Sequence, residues 1–140
     1  MKTIMGETTG TVRWILRFEG LCMLIGALLI YTKLNFSWGM FALFFLTPDI
    51  SLLAYLSGSR VGALAYNTAH SYIGAIICLV VGYLISAPTL LCVGIIWCAH
   101  IGFDRILGYG LKYSTGFNFT HLGTIGHFSK SAPQVTRTLS

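Results

Sequence analysis

The 140-residue chain is strongly apolar: 55% of its residues are hydrophobic, 9% are charged, and the mean hydropathy is +0.76. A typical soluble domain has about 25% charged residues, so this composition excludes an ordinary soluble protein and predicts helices that cross a bilayer. The net charge of +5 does not indicate nucleic-acid binding, because the basic residues are spread over several loops and form no run.

Four apolar segments predict an all-α membrane protein built as a four-helix bundle. The four spans are expected at about residues 12–34, 37–56, 61–84 and 88–108. A polar N-terminal tail (residues 1–11) precedes them, and residues 109–140 are predicted to be a loop-rich C-terminal tail. Because the connecting turns are short, consecutive helices should be antiparallel.

The positions of lysine and arginine predict the orientation of this bundle. With four spans, both termini and the second loop lie on the same side of the membrane. That side carries every one of the nine basic residues except Lys33. The positive-inside rule therefore places the N-terminus and the C-terminus in the cytoplasm.

The predicted spans also contain ionisable side chains, which are costly inside a membrane unless something binds them. His100 and Asp104 are four residues apart and therefore project from one face of the fourth helix. Pro48 should kink or break the second helix, beside Asp49. Counting back from the turns between antiparallel helices places Glu19, Asp49, His70, His100 and Asp104 in one layer of the cytoplasmic half of the bilayer.

Two imidazoles and two or three carboxylates at one depth are typical ligands for zinc or another divalent transition metal. Candidate hydrogen-bonding partners of these ligands lie within about one turn of His70: Tyr66, Asn67 and Ser71. Arg105 points away from the face of His100, and we expect it at the cytoplasmic surface, where it would hold an anionic lipid head group. The tail histidines His121 and His127 are expected to be structural or solvated.

Several stretches of the chain resemble the domain of unknown function 4260, a family of small bacterial membrane proteins. The stretches are TPDIS (47–51), YNTAHS (66–71) and HIGFDRILGYGLKY (100–113), with weaker likeness in RFEG (17–20) and an extension through THLG (120–123). The resemblance covers most of the chain and implies a location in the bacterial inner membrane. It implies no particular activity.

The order Pro-Asp, His-Ser and His-x-x-x-Asp is also similar to that of YdjM-type metal-dependent hydrolases of the inner membrane. This second resemblance implies that Asp49, His70, His100 and Asp104 are the metal ligands and catalytic residues. Ser51 stands where that pattern has a second acidic residue, and the histidine expected just before His-Ser is missing. These departures argue against a site for two metals.

The functional hypothesis is then hydrolysis of a lipid or another amphipathic ester or phosphoester at the inner leaflet. A bound divalent ion, zinc by preference, would activate water, and Glu19 would act as general base or as a carboxylate beside the ligands. Two other interpretations remain open. The same groups are typical of an ion- or proton-coupled carrier or channel, which would be a homo-oligomer, and of a hydrogen-bonded polar core that only fixes helix packing.

Overall fold

The computed structural model describes residues 10–112 and 119–124, which form five α-helices, one 3₁₀ helix and a small hairpin. In chain order the elements are α1 (Gly10–Lys33), α2 (Trp38–Phe44), the 3₁₀ helix (Thr47–Ser57), α3 (Ser59–His70), α4 (Tyr72–Leu84), α5 (Pro88–Leu107), β1 (Phe119–Thr120) and β2 (Gly123–Thr124). The prediction of a helical fold is confirmed. His127 and almost all of the predicted N-terminal tail lie outside the described residues.

Three stretches of the described chain are long and apolar enough to cross a membrane: α1, Trp38–Ser57 and α5. Helices α3 and α4 reach the necessary length only together, and they are bent by 43° where they meet. The chain therefore has three candidate spans, or four if the bent pair counts as one span. Several apolar helices of this kind indicate a membrane protein.

The third predicted span is not the continuous helix that its apolar pattern suggested. Ser71 is extended, with φ −93° and ψ 149°, and separates α3 from α4. Arg105 of α5 donates a hydrogen bond to the carbonyl oxygen of His70, the last residue of α3. This bond gives the His70 carbonyl oxygen a hydrogen-bond partner at the break, where the regular helical hydrogen bonds end.

Helix α5 is the centre of the molecule and packs against both α1 and α4. Small residues allow α1 to approach it closely: a methyl group on Gly20 would overlap the side chain of Arg105 and lie 2.8 Å from the carbonyl oxygen of Gly102. Arg17 also donates a hydrogen bond to the carbonyl oxygen of Ile106. Such small-residue contacts are how helices pack without a hydrophobic driving force in lipid.

The predicted break at Pro48 is present. Helix α2 ends at Phe44, and the chain continues from Thr47 as a 3₁₀ helix of 11 residues with the proline in its first turn. Runs of 3₁₀ helix longer than about four residues are uncommon. This one packs along α3, where the ring of Tyr55 occupies the space beside Gly62. Asp49 is thereby directed from the first turn of the 3₁₀ helix towards the end of α3.

After α5 the chain turns back over the molecule. Gly108 adopts a left-handed conformation, with φ 88°, that ends the helix. The amide nitrogen of Leu111 then donates a hydrogen bond to Nδ1 of His121, and Lys112 pairs with Thr120 as an isolated antiparallel bridge. We call residues 109–112 and 119–124 the return segment. His121 is half-buried in it, as a structural residue.

Candidate metal centre

Four side chains meet between the 3₁₀ helix, α3 and α5: Asp49, His70, His100 and Asp104, which we call the Asp/His cluster. One possible ligand atom from each of them lies within 4.8 Å of the other three. His100 and Asp104 come from successive turns of α5, and His70 is the last residue of α3. The structure therefore brings together four of the five ionisable residues that the sequence placed at one depth.

Five of the six distances between the ligand atoms are close to those of a tetrahedral metal site. The Nε2 atoms of the two histidines are 3.1 Å apart. His70 Nε2 lies 3.2 Å from Asp49 Oδ1 and 3.4 Å from Asp104 Oδ2, and the corresponding distances from His100 Nε2 are 3.5 and 3.6 Å. A tetrahedral zinc ion with bonds of about 2.0–2.1 Å requires ligand atoms about 3.3–3.4 Å apart.

The hydrogen bond on the far side of the His70 ring fixes which nitrogen faces the cluster. Nδ1 lies 3.0 Å from the carbonyl oxygen of Tyr66, to which it must donate. In the neutral ring, Nε2 then has no proton and presents its lone pair to the other three side chains. A histidine that donates its second ring N–H to a backbone carbonyl is the usual arrangement in metal sites.

The cluster is enclosed on three sides and more open on the fourth. His70, His100 and Asp104 are buried, whereas 39% of the Asp49 side chain is exposed. The ring of Phe45 packs edge-on against His100, with the ring centroids 5.3 Å apart. Among the described residues, His100 Nδ1 is buried without a hydrogen-bond partner.

The family model of a domain of unknown function, DUF4260, matches residues 13–125, which include the whole Asp/His cluster. The chain belongs to the DUF4260 family. No curated protein and no solved structure matches this chain, so the likeness to YdjM-type hydrolases has no support from these comparisons.

Tyr66 contacts two members of the Asp/His cluster. Its ring stacks on His70 with the centroids 3.8 Å apart and the planes 12° from parallel. Its hydroxyl donates to Asp104 Oδ2 over 3.4 Å. The sequence placed Tyr66 beside the ligands, and the structure gives it contact with one histidine and one carboxylate.

Arg105 and Asn67 have roles that differ from those predicted. Arg105 is buried and donates to the carbonyl oxygens of His70, at 2.9 Å, and Tyr109, at 2.8 Å. Its guanidinium is therefore turned into the protein and not exposed for a lipid head group, because the break after His70 provides a backbone acceptor. Asn67 binds the backbone of Lys112, and no bond to the cluster is seen among the described residues. Ser71 lies at the break itself.

Glu19 does not join the cluster. Neighbouring Gly20 contacts Gly102 and Arg105, so Glu19 is close to the level of the cluster along α5. Its side chain is exposed and lines an apolar groove with Cys22 and Tyr72. The expected role beside the ligands is thus not supported by its position, because Glu19 lies on another face of α1.

Lys112 is a residue of the site that the sequence did not indicate. It is only 5% exposed, and its ammonium group lies 4.6 Å from the centre of the Tyr66 ring. Burial lowers the pKa of Lys112 to about 8, while the negative charges of Asp104 and Asp49 oppose that shift. The sequence around Lys112 does not predict this position, because it depends on tertiary contacts between the tail and α3.

Proposed function

We propose that the Asp/His cluster is a binding site for one divalent transition metal ion, zinc by preference, inside the membrane domain. The observation that carries this proposal is the spacing of the ligand atoms: five distances between 3.1 and 3.6 Å. Imidazole nitrogens and carboxylate oxygens are the ligands that zinc takes in proteins. The bond from His70 to the carbonyl oxygen of Tyr66 supports the same assignment.

A purely hydrogen-bonded core explains these contacts less well. If His70 is neutral and both carboxylates are ionised, the Nε2 lone pair faces Asp49 Oδ1 at 3.2 Å and Asp104 Oδ2 at 3.4 Å, and neither carboxylate has a proton to donate to it. Placing the buried carboxylate of Asp104 and the partly buried carboxylate of Asp49 beside such a nitrogen is unfavourable. A metal cation at the centre compensates both negative charges and uses the lone pairs as bonds.

We further propose that the site is hydrolytic. Catalytic zinc sites keep one coordination position for water, and a bound zinc ion lowers the pKa of that water to near neutrality. His70, His100, Asp104 and Asp49 would hold the ion, and water would enter as a fifth ligand on the side of the more exposed Asp49.

The surroundings of the cluster favour an amphipathic substrate. An apolar cavity of about 290 Å³ adjoins it, lined by residues on both sides of Asp49 and by the residue that precedes His70. The lining residues are Phe44, Thr47, Pro48, Ser51, Ala69, Val93 and Trp97. A cavity of this kind fits an acyl chain. We therefore propose a lipid or related ester or phosphoester, reached from the cytoplasmic leaflet of the bacterial inner membrane.

Elemental analysis of the detergent-purified protein tests the metal directly. We expect about one equivalent of metal in the wild type and a large loss in His70→Ala and Asp104→Ala. Glu19→Gln and His121→Asn are matched controls outside the cluster and should retain the metal. Clearly sub-stoichiometric metal in a folded wild type would contradict the proposal. Hydrolysis is tested on the metal-loaded protein with short-chain carboxylic and phosphoric esters, and turnover unchanged in Asp49→Asn would argue against the hydrolytic role.

A further inference from the structure

A second groove, of about 540 Å³, lies between α1 and the start of α4, and we call it the α1 groove. Its lining residues are Ile15, Phe18, Glu19, Cys22, Met23 and Tyr72. Glu19 is the one charged residue among them. Ile15 and Phe18 are exposed beside it, so the groove opens to the outside of the helix bundle.

The carboxylate of Glu19 forms no hydrogen bond or ion pair within the described part of the chain, and its side chain is exposed. The arginine two residues before it is directed elsewhere: Arg17 donates from Nε to the carbonyl oxygen of Ile106 and lies over the ring of Trp14. Helix α1 is a candidate membrane span. An ionised carboxylate on such a span is costly unless a positive charge meets it.

Glu19 lies near the end of α5 and therefore at a depth that a lipid head group can reach. The next residue, Gly20, packs against Gly102 and Arg105, and α5 ends at Leu107. This places Glu19 within roughly one helical turn of the end of α5. Trp14, five residues earlier in α1, is exposed, which is typical of an aromatic residue at the membrane interface.

The lining of the α1 groove matches an organic cation with an apolar body. A carboxylate accepts short, charge-assisted hydrogen bonds from an ammonium group. The faces of aromatic rings attract cations, and Phe18 and Tyr72 bring two rings to the same groove as Glu19. The apolar side chains of Ile15 and Met23 are suited to the hydrocarbon part of the ligand.

A second copy of the chain fits the α1 groove less well. In a symmetric dimer the same surface of both subunits meets itself, so the two Glu19 carboxylates would approach each other. Like charges repel strongly where the dielectric constant is low. A lipid with a positively charged group brings the opposite charge instead.

We infer that the α1 groove binds the ammonium head group of a membrane lipid and that Glu19 recognises its positive charge. The inference does not depend on the proposed metal site, because Glu19 lies outside the Asp/His cluster. A primary ammonium, as in phosphatidylethanolamine, offers three N–H donors to the carboxylate. The quaternary ammonium of phosphatidylcholine offers none and would be held by charge and by the aromatic rings.

Lipid binding is measured by native mass spectrometry of the protein in a non-ionic detergent. The probes are phosphatidylethanolamine, phosphatidylcholine and phosphatidylglycerol with identical acyl chains. We expect phosphatidylethanolamine to bind about fivefold more tightly than phosphatidylglycerol, which corresponds to the upper end of the usual effect of an exposed ion pair. The net charge of +5 attracts anionic lipids, so general electrostatic attraction acts against this preference.

Glu19→Gln should abolish the preference, because it removes the charge with almost no change in shape, and Glu19→Asp should keep most of it. Lys33→Gln, at the exposed far end of α1, is the matched control and should bind lipids like the wild type. Phosphatidylglycerol binding as tightly as phosphatidylethanolamine in the wild type, or an unchanged preference in Glu19→Gln, would overturn the inference.

The remaining outcomes separate other occupants and the proposed function. A dimer in detergent that Glu19→Gln dissociates would assign the groove to a second copy and overturn the inference. Phosphatidylcholine binding as tightly as phosphatidylethanolamine would support the ammonium site and show that N–H donation is not required. The metal content is measured on the same samples. A metal-free wild type that still prefers phosphatidylethanolamine would contradict only the proposed metal site and would support this inference.

Discussion

Tyr66 links the proposed metal ligands to the return segment. Its ring lies between the imidazole of His70 and the ammonium of Lys112, and its hydroxyl bonds Asp104. Groups that orient metal ligands in this way typically contribute about 10- to 100-fold to metal affinity. The bond is long, at 3.4 Å, so its contribution should be at the lower end of that range.

We therefore expect Tyr66→Phe to keep the metal but to lower its affinity by about tenfold, because the ring still stacks while the hydroxyl bond is lost. Competition with a chelator of known affinity measures this change. Tyr83→Phe, on an exposed side chain, serves as control. An unchanged affinity in Tyr66→Phe would show that Asp104 does not need this donor.

His121 predicts a pH dependence in the return segment. Burial and the positive charge of Arg105 lower its pKa below the usual value of about 6.5, and its Nδ1 accepts a hydrogen bond from the Leu111 amide. The fold therefore favours the neutral ring. Its contribution to stability is complete above the unfolded pKa and is lost as the pH falls towards the folded pKa.

Hydrogen exchange at the Leu111 amide tests this sign. Between about pH 7.5 and about pH 5, protection at that amide should decrease once intrinsic exchange rates are taken into account. His121→Asn offers an acceptor that does not titrate in this range, so its protection should not depend on pH. Greater protection at low pH in the wild type would contradict the assignment.

Some of these residues could be predicted from the sequence and others could not. The spacing of His100 and Asp104 placed them on one face of one helix, which local geometry alone determines. The position of Arg105 depended on a free carbonyl at His70, which exists only because the chain breaks at Ser71. Lys112 joins the site through contacts between distant parts of the chain, and no local pattern encodes them.

At the scale of elements, the contact between α1 and α5 depends on two glycines. A side chain on Gly20 would overlap Arg105, and one on Gly102 would lie 2.7 Å from the carbonyl oxygen of Gly20. Separating these helices would also move the turn of α5 that carries His100 and Asp104. The α1–α5 contact thus positions half of the Asp/His cluster.

Gly20→Ala should destabilise the protein by about 1–3 kcal/mol, the usual cost of overpacking, because the helix backbones must separate. Gly26→Ala on the same helix is the matched control: nothing lies within 4 Å of the added methyl group, and alanine is the better helix former. Thermal unfolding in detergent compares the two. Equal melting temperatures would contradict close packing at Gly20.

The breaks in the predicted helices differ in how visible they are in the sequence. Pro48 predicted the first break, since proline lacks the N–H that a helix requires. The second, at Ser71, has no proline or glycine beside it, and the apolar pattern runs through it. It is stabilised by the distant Arg105. A prediction from periodicity therefore gave one long helix where two shorter ones occur.

For the whole molecule, counting residues from the turns anticipated that Asp49, His70, His100 and Asp104 would meet, because depth in antiparallel helices follows from helical rise. Depth does not determine which face a side chain occupies. Glu19 illustrates this difference: it lies near the level of the cluster but on an outer groove.

The proposed topology has four spans, with α3 and α4 crossing as one, and both termini in the cytoplasm. Fusions of green fluorescent protein and alkaline phosphatase measure it. The fluorescent protein should be active at the C-terminus, and the phosphatase should be active when joined after Asn35, between α1 and α2. Phosphatase activity both after Asn35 and at the C-terminus would indicate an odd number of spans.

The stretch Trp38–Ser57 contains no buried residue, although it supplies Asp49 and part of the cavity wall. In a bilayer, the acyl chains of annular lipids would complete that wall wherever no other protein covers it. Their hydrophobic thickness then sets the height of the 3₁₀ helix relative to α5, because a mismatched segment tilts or shifts. Bilayers of different chain length should therefore change the position of Asp49, on the 3₁₀ helix, relative to His100 and Asp104 on α5.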